Sequence, residues 1–232
     1  MRLLFITFSV FILTLQANGQ AGKTPGINDF GSEVVKAQQL NTNQNKEYFD
    51  ENQIAGSPYF DKRFMSAYLL KINGSEMKDI PLRYNIYRNN MEFMKDGKVL
   101  ALAYPSEVKR INMDGKVFIY KQFVRSKNVN SSFFQLIYDG DYQLLKLDQV
   151  RLNSITGEKS TSDSLRFVRL APQFYLCFHY GMAQLISSQK TLIKVLQPIP
   201  QKVIDYIKTK SINADNENQL IDLMKFMDDS KN

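Results

Sequence analysis

Short apolar runs with a period of two fill the middle of the chain. In the run that ends at Ile72, for example, Tyr68 and Leu70 lie at two-residue spacing, which is typical of a β-strand with one buried face. The pattern predicts a β domain over residues 58–187. Its other predicted strands are 82–86, 91–94, 99–103, 108–111, 117–123, 133–138, 142–147, 165–170, 174–180 and 182–186.

Glycine dipeptides separate many of these runs. Asp96-Gly97, Asp114-Gly115 and Asp139-Gly140 each stand between two β-prone runs, and Asn73-Gly74 ends the first. Both dipeptide types tolerate the positive φ angles of tight hairpins. We therefore predict a mainly β (α+β) fold, with an antiparallel meander that forms a curved sheet, a roll or a partly open barrel.

Ala171-Pro172 joins the runs 165–170 and 174–180, which we predict as two separate strands, and 182–186 is a candidate partner that follows them. Both faces of 174–180 are largely apolar. This favours a strand that is covered on both sides, or one near a dimer contact.

After Ser187 the apolar period becomes helical, and we predict a helical segment over 188–232 that packs on the β domain. A first helix precedes Pro198, and Pro200 suits the first turn of a second. Asn216 and Gln219 resemble a capping box for a third helix. Its apolar stripe consists of Leu220, Leu223, Met224 and Met227.

The N-terminus predicts export. Arg2 precedes an apolar run from Leu3 to Leu15, and the small residues Ala17 and Gly19 follow, which is the pattern of a secretory signal peptide over residues 1–19. A retained membrane anchor is the alternative, but the run is shorter than the roughly 20 residues a spanning helix needs. We expect a soluble periplasmic or extracellular protein after cleavage, with a polar lead-in over residues 20–57.

Composition and charge narrow the function classes. The 232 residues are 44% hydrophobic and 23% charged, which excludes collagen-like and wholly disordered chains. The single cysteine excludes an intramolecular disulfide. The net charge is +7, yet the cations are scattered and do not form a nucleic-acid footprint. The expected partners are therefore an envelope protein, a glycan or a lipid headgroup.

No catalytic, cofactor-binding or metal-binding constellation stands out. Cys177 and His179 would share one strand face, but two ligands are too few for zinc and a nucleophile pair needs an orienting group. We interpret them as a structural pair. Hydrolysis of glycans requires two carboxyls that face a cleft. Candidates are Glu92, Asp96, Glu107, Asp114, Asp139, Asp141 and Asp148.

Aromatic residues offer a second kind of site. Arg83, Tyr84 and Tyr87, or Tyr104 and Tyr120, are candidates to line a carbohydrate or peptide groove. Tyrosine in strands is equally well explained by β-propensity and cross-strand pairing.

The order of these pieces resembles a family of exported β-rich proteins common in Bacteroidota, over about Gly56 to Phe226. The resemblance implies a compartment and an architecture, and since the family has no established activity, it implies no catalytic residue. One departure is Phe226-Met227-Asp228, where the family pattern has paired tyrosines and an asparagine. The matching motifs are Gly56-Ser57-Pro58-Tyr59, Pro81-Leu82-Arg83-Tyr84-Asn85-Ile86-Tyr87, Arg166-Phe167-Val168-Arg169, the Asp-Gly hairpins and the Lys-rich helical ending.

These features together predict an exported, non-catalytic binding or interaction protein of the cell envelope. The alternative is an envelope hydrolase that acts on glycans through carboxylates.

Overall fold

The computed structural model describes residues 54–125, 127–154, 165–178 and 180–230. The predicted signal peptide and most of the predicted lead-in lie outside these residues, and so does His179. Within them the strands are β1 (Met65–Lys71), β2 (Glu76–Asn85), β3 (Asn90–Lys95), β4 (Lys98–Ala101), β5 (Val108–Met113), β6 (Lys116–Arg125), β7 (Asn128–Asp139), β8 (Tyr142–Ser154), β9 (Leu165–Phe178) and β10 (Gln184–Leu185).

The strands form one open antiparallel sheet in the order β10-β9-β8-β7-β6-β5-β1-β2-β3-β4. Strands that follow each other in the chain are neighbours, except that β5 pairs with β1 and leaves β4 at an edge. A single 3-10 turn at Pro105–Glu107 lies in the connection from β4 to β5. The predicted mainly β antiparallel fold is confirmed, in the form of an open sheet.

Two of the three Asp-Gly dipeptides form two-residue hairpin turns. Asp96-Gly97 joins β3 to β4 and Asp114-Gly115 joins β5 to β6, with positive φ at all four residues. These angles match the twist of the flanking strands. At the third dipeptide Asp139 still belongs to β7 and pairs with Gln143, so that turn is wider although the hairpin is present.

The predicted break at Ala171-Pro172 is wrong, because β9 continues through both residues. The register of β8 against β9 shifts between Leu147 and Gln149, so Ala171 and Pro172 stand opposite Asp148 alone. Such a bulge accommodates proline because one residue of the bulged strand is left out of the hydrogen-bond ladder.

The first half of the sheet curls around one hydrophobic core. Asn89, in the turn between β2 and β3, reaches across to β7: its Oδ1 accepts from Ser132 Oγ at 2.7 Å and its Nδ2 donates to the carbonyl of Ser131 at 2.9 Å. The enclosed core consists of Ala67, Leu69, Met77, Ile80, Leu82, Tyr84, Ile86, Met91, Phe93, Leu100, Leu102, Val108, Ile111, Met113, Phe118 and Phe133.

The second half curls around another core on the opposite face of β6 and β7. The rings of Phe123, Phe134 and Tyr175 meet edge to face there, with centroids 5.1 to 5.6 Å apart. The amide of Ala183 donates to the carbonyl of Gln122 at 2.8 Å, which brings the chain before β10 against β6. This core consists of Ile119, Phe123, Phe134, Leu145, Leu147, Tyr175, Cys177 and Ala183.

Adjacent residues of β6 and β7 therefore enter different cores. Phe118 and Phe133 lie in the first, while Ile119 and Phe134 lie in the second. Because successive side chains of a strand point to opposite faces, both faces of these strands are covered. β6 and β7 therefore contribute side chains to both cores.

Three helices cover the outer face of β8 and β9: α1 (Gln189–Leu196), α2 (Gln201–Thr209) and α3 (Glu217–Asp229). Asn216 caps α3 by accepting the amide of Gln219 at 3.2 Å. The predicted stripe Leu220, Leu223, Met224 and Met227 is buried. It packs in one cluster with Leu144, Phe174 and Leu176 of the sheet, so the predicted docking of the helices is confirmed.

Candidate functional site

A groove of about 660 Å³ crosses five neighbouring strands, from β8 through β7, β6 and β5 to β1. Leu70 and Ile119 line it on the face opposite the first core, together with Leu136 of β7. Ile72 is 67% exposed and Tyr180 is fully exposed, and both lie at its walls. We call this site the cationic groove, because Lys109, Arg110 and Lys121 are among its lining residues.

Three cationic residues line the groove, namely Lys109, Arg110 and Lys121. Asp139 is the one carboxylate among its lining residues, and Arg110 Nη2 lies 3.0 Å from its Oδ2. Gln143 donates its side-chain amide to Asp139 Oδ1 at 2.9 Å. The lining therefore carries a formal charge of +2, three cations against one anion, beside an apolar floor.

The groove as a whole was not predicted from the sequence, although the alternation of side chains along the strands that line it can be read there. In β1 and β5, Leu69 and Ile111 are core residues, so Leu70 and Arg110 must point to the other face. The missing information was that β5 pairs with β1 rather than with β4. This pairing is what places Arg110 beside Leu70.

The candidate acids in hairpins have local structural roles. Asp96 and Asp114 adopt φ angles of 49° and 51° in their turns, a conformation that Asp tolerates better than most residues. Asp141 lies in the turn between β7 and β8. Glu107 lies 3.6 Å from the ammonium of Lys71. None of these four acids lines the cationic groove. None of them lines a second cavity either, which lies between β10 and α1.

Glu92 is buried in a fully paired network. Its Oε2 accepts from Arg83 Nε at 2.8 Å and its Oε1 accepts from Asn85 Nδ2 at 2.9 Å. The Arg83 guanidinium also donates to the hydroxyl of Tyr59 at 2.9 Å and lies over the ring of Phe64. A carboxylate with these partners anchors residues 59–64 on β2 and β3, which is a structural role.

Asp148 is the remaining candidate acid. Burial raises the pKa of its carboxyl above the usual range, although nearby Arg169 acts in the opposite direction. Arg169 Nη1 lies 3.6 Å from Asp148 Oδ1. The residue stands at the β9 bulge and lines neither the cationic groove nor the cavity between β10 and α1.

The other predicted candidates do not form a site either. Cys177 is buried in the second core, where its thiol donates to Gln143 Oε1 at 3.7 Å. Tyr84 is buried in the first core, so Arg83, Tyr84 and Tyr87 do not form one aromatic surface. Tyr120 packs on Phe133 and also lines the cationic groove, whereas Tyr104 does not line it.

The described residues hold no group of three or more His, Cys, Asp and Glu side chains with the geometry to bind a metal ion. Among the helices of the same residues, none combines the length and the apolar character that crossing a membrane requires. Comparison with protein-family models, with curated proteins and with solved structures finds no match to this chain.

Proposed function

We propose that the protein is an exported, non-catalytic binding protein of the cell envelope, and that its ligand lies in the cationic groove. One observation carries the proposal: apolar side chains of three strands, Leu70, Ile119 and Leu136, lie in one groove with three cationic side chains. A groove with this lining favours a ligand with an anionic group attached to an apolar portion.

The size of the groove suits such a ligand. A volume of about 660 Å³ falls within the range of small-molecule sites. Leu70, Ile119 and Leu136 offer apolar contact to a hydrocarbon chain or to the face of a sugar ring. Lys109 and Lys121 line the same groove, and cationic side chains suit a phosphate, sulfate or carboxylate.

A glycan hydrolase is the alternative, and it has less support. Hydrolysis through carboxylates needs an acid and a second carboxylate on the two sides of the scissile bond. Among the described residues that line the cationic groove, Asp139 is the one carboxylate, and both of its oxygens are engaged, by Arg110 and by Gln143. A second acid in this groove is what the alternative would require.

Export is part of the same proposal. It is supported by the apolar run Leu3–Leu15 followed by Ala17 and Gly19. Membership of the Bacteroidota family, proposed on the motifs given above, points to the same compartment. N-terminal sequencing of the protein from the envelope fraction tests it: we expect the chain to begin at Gln20, and a chain that begins at Met1 contradicts it.

Binding is tested with a chosen probe, dodecyl phosphate, followed by calorimetry below its micelle concentration. The double variant Lys109→Gln/Lys121→Gln is expected to weaken binding about tenfold, because two charged contacts are lost. Lys208→Gln/Lys210→Gln, at the C-terminal end of α2, removes the same charge outside the groove and serves as the control. Dodecyl maltoside, which has the same chain and a neutral headgroup, is expected to bind more weakly.

Two outcomes would overturn the proposal. Equal binding by both double variants would show that the groove is not the site. A glycan-cleaving activity of the purified protein that is lost on Asp139→Asn would show that the protein is an enzyme.

A further inference from the structure

A second groove lies on the other side of the turn that joins β9 to β10. Its volume is about 520 Å³. The wall formed by the sheet and by the turn between β9 and β10 includes Val124, Phe178, Met182 and Leu185. Each of these side chains is between 37% and 56% exposed. We call this site the apolar groove; its far wall is α1, which contributes Lys194.

The two chain segments that line the apolar groove carry cations and no acid. Residues 116–138, which include β6 and most of β7, have four Lys or Arg and no Asp or Glu. Residues 178–204, which include β10 and α1, have three lysines and again no Asp or Glu. Lys190 and Lys194 are four residues apart in α1, so they lie on the same side of the helix.

We propose that the apolar groove and the adjoining turn dock on the surface of an anionic lipid bilayer. Phe178, Met182 and Leu185 enter the boundary between headgroups and acyl chains, where exposed apolar side chains lose contact with water. Lys190 and Lys194 contact the anionic headgroups. Tyr180, which is fully exposed in the same turn, has the apolar ring and polar tip that suit this interface.

Charge decides between this surface and a second copy of the chain. In a two-fold dimer the same patch faces itself, so the lysines of α1 would approach those of the other copy. Like charges brought together without an acid between them oppose association. A protein partner of standard size would also cover roughly 20–30 residues on each side, far more than the few exposed apolar side chains here. A bilayer requires neither complementary acids nor that area.

The docked orientation has a consequence for the cationic groove. Tyr180 lines that groove and Met182 lines the apolar groove, so a single short turn lies between them. Docking therefore brings the mouth of the cationic groove close to the lipid headgroups. The bilayer contact nevertheless uses a different surface, and its test does not depend on what the cationic groove binds.

The test is co-sedimentation of the protein, purified after export, with vesicles at about 0.15 M salt, where surface electrostatics are partly screened. One set of vesicles contains phosphatidylcholine alone, and the other contains equal amounts of phosphatidylcholine and phosphatidylglycerol. We expect binding to the anionic vesicles that falls as salt is raised, and much weaker binding to the neutral ones.

Two double variants identify the surface. Met182→Ser/Leu185→Ser is expected to weaken vesicle binding about tenfold, because less apolar area enters the interface. Lys190→Gln/Lys194→Gln is expected to weaken it about fivefold for each lysine. The matched controls are Met94→Ser/Val99→Ser on the exposed β3–β4 hairpin and Lys208→Gln/Lys210→Gln at the C-terminal end of α2. Both are expected to bind as the unmodified protein does.

Three results would overturn the proposal. One is equal binding to neutral and anionic vesicles. Another is unchanged vesicle binding by Met182→Ser/Leu185→Ser, with thermal unfolding showing that the variant is folded. The third is sedimentation velocity that detects a dimer which this variant loses, since that result would assign the apolar groove to a second copy.

Discussion

The hydroxyl of Tyr138 donates a hydrogen bond of 2.8 Å to Asp228 Oδ2, across 90 residues of sequence. Tyr138 lies in β7 and Asp228 in the last turn of α3. Gly140 follows in the turn of the same hairpin, and a Cβ at that position would overlap Asp228 Oδ2 and the ring of Tyr138. The bond therefore depends on the glycine as well as on its two partners.

We predict that Gly140→Ala lowers the free energy of unfolding by about 1.5 kcal/mol, which is the lower end of the range for the loss of a hydrogen bond to a charged group. The carboxyl of Asp228 must move away, and the bond from Tyr138 breaks. Urea unfolding measures the change. Gly181→Ala is the control, since a Cβ there has its nearest neighbour at 3.5 Å. In the double variant with Tyr138→Phe the two losses should sum to less than their separate values, and full additivity would contradict this account.

The buried network around Glu92 gives a second prediction. Glu92→Ala leaves the Arg83 guanidinium and the Asn85 amide without their buried acceptor, and we expect a loss of about 3 kcal/mol in the free energy of unfolding. Lys78→Ala removes one partner of an exposed pair with Glu76 and should cost less than about 0.5 kcal/mol. Similar losses in both variants would show that the buried network around Glu92 contributes no more to stability than an exposed ion pair does.

A third prediction concerns pH. Because burial raises the pKa of Asp148 in the folded protein, the folded state holds the proton more tightly than the unfolded chain does. The stability gained in this way is fully present below the unfolded pKa of about 3.9 and is lost as pH rises through the folded pKa. Asp148→Asn should therefore be more stable than the unmodified protein at pH 7, with the difference vanishing near pH 3.

Asp61 provides the opposite case for the same measurement. Hydrogen bonds from Arg63 lower the pKa of its carboxyl to about 2, so its contribution is present above the unfolded pKa and is lost as pH falls. Asp61→Asn should reduce stability at pH 7, if only slightly at this exposed site. A lower stability of Asp148→Asn at pH 7 would mean that the ion pair with Arg169 outweighs burial.

A fourth prediction concerns thiol chemistry. Cys177 is 3% exposed, and burial raises the pKa of its thiol even though Lys121 acts in the opposite direction. Since the thiolate is the reactive form, we expect labelling by Ellman's reagent to be slow in the folded protein and fast in urea. Ser187→Cys adds an exposed thiol as an internal control, and that thiol should react at once. Equally fast reaction of both would contradict the burial of Cys177.

Much of the local structure was predictable from particular residues. Asp96-Gly97 and Asp114-Gly115 form the expected turns because the positive φ angles are a property of the dipeptide itself. The spacing of Leu220, Leu223 and Met227 predicted the buried face of α3 for a similar reason: the helical period puts them on one side whatever they contact.

Pro172 shows where local rules end. Proline lacks the amide that a ladder requires, so a break was the natural prediction. The strand continues because the partner strand β8 shifts its register at Asp148, and a residue distant in sequence makes that accommodation. The same limit applies to the candidate acids. The sequence shows which residues are acids, but it does not show which of them pairs with a cation, as Glu92 does with Arg83.

The sequence by itself determined most of the strands, two of the hairpin turns and the apolar stripe of the last helix, because each follows from dihedral preferences and side-chain periodicity within a few residues. Only the tertiary structure decided which face each strand buries and hence where the two grooves lie. Pairing of β5 with β1 and the division of β6 and β7 between two cores depend on contacts between distant segments, and those contacts bury apolar area that no single element buries by itself.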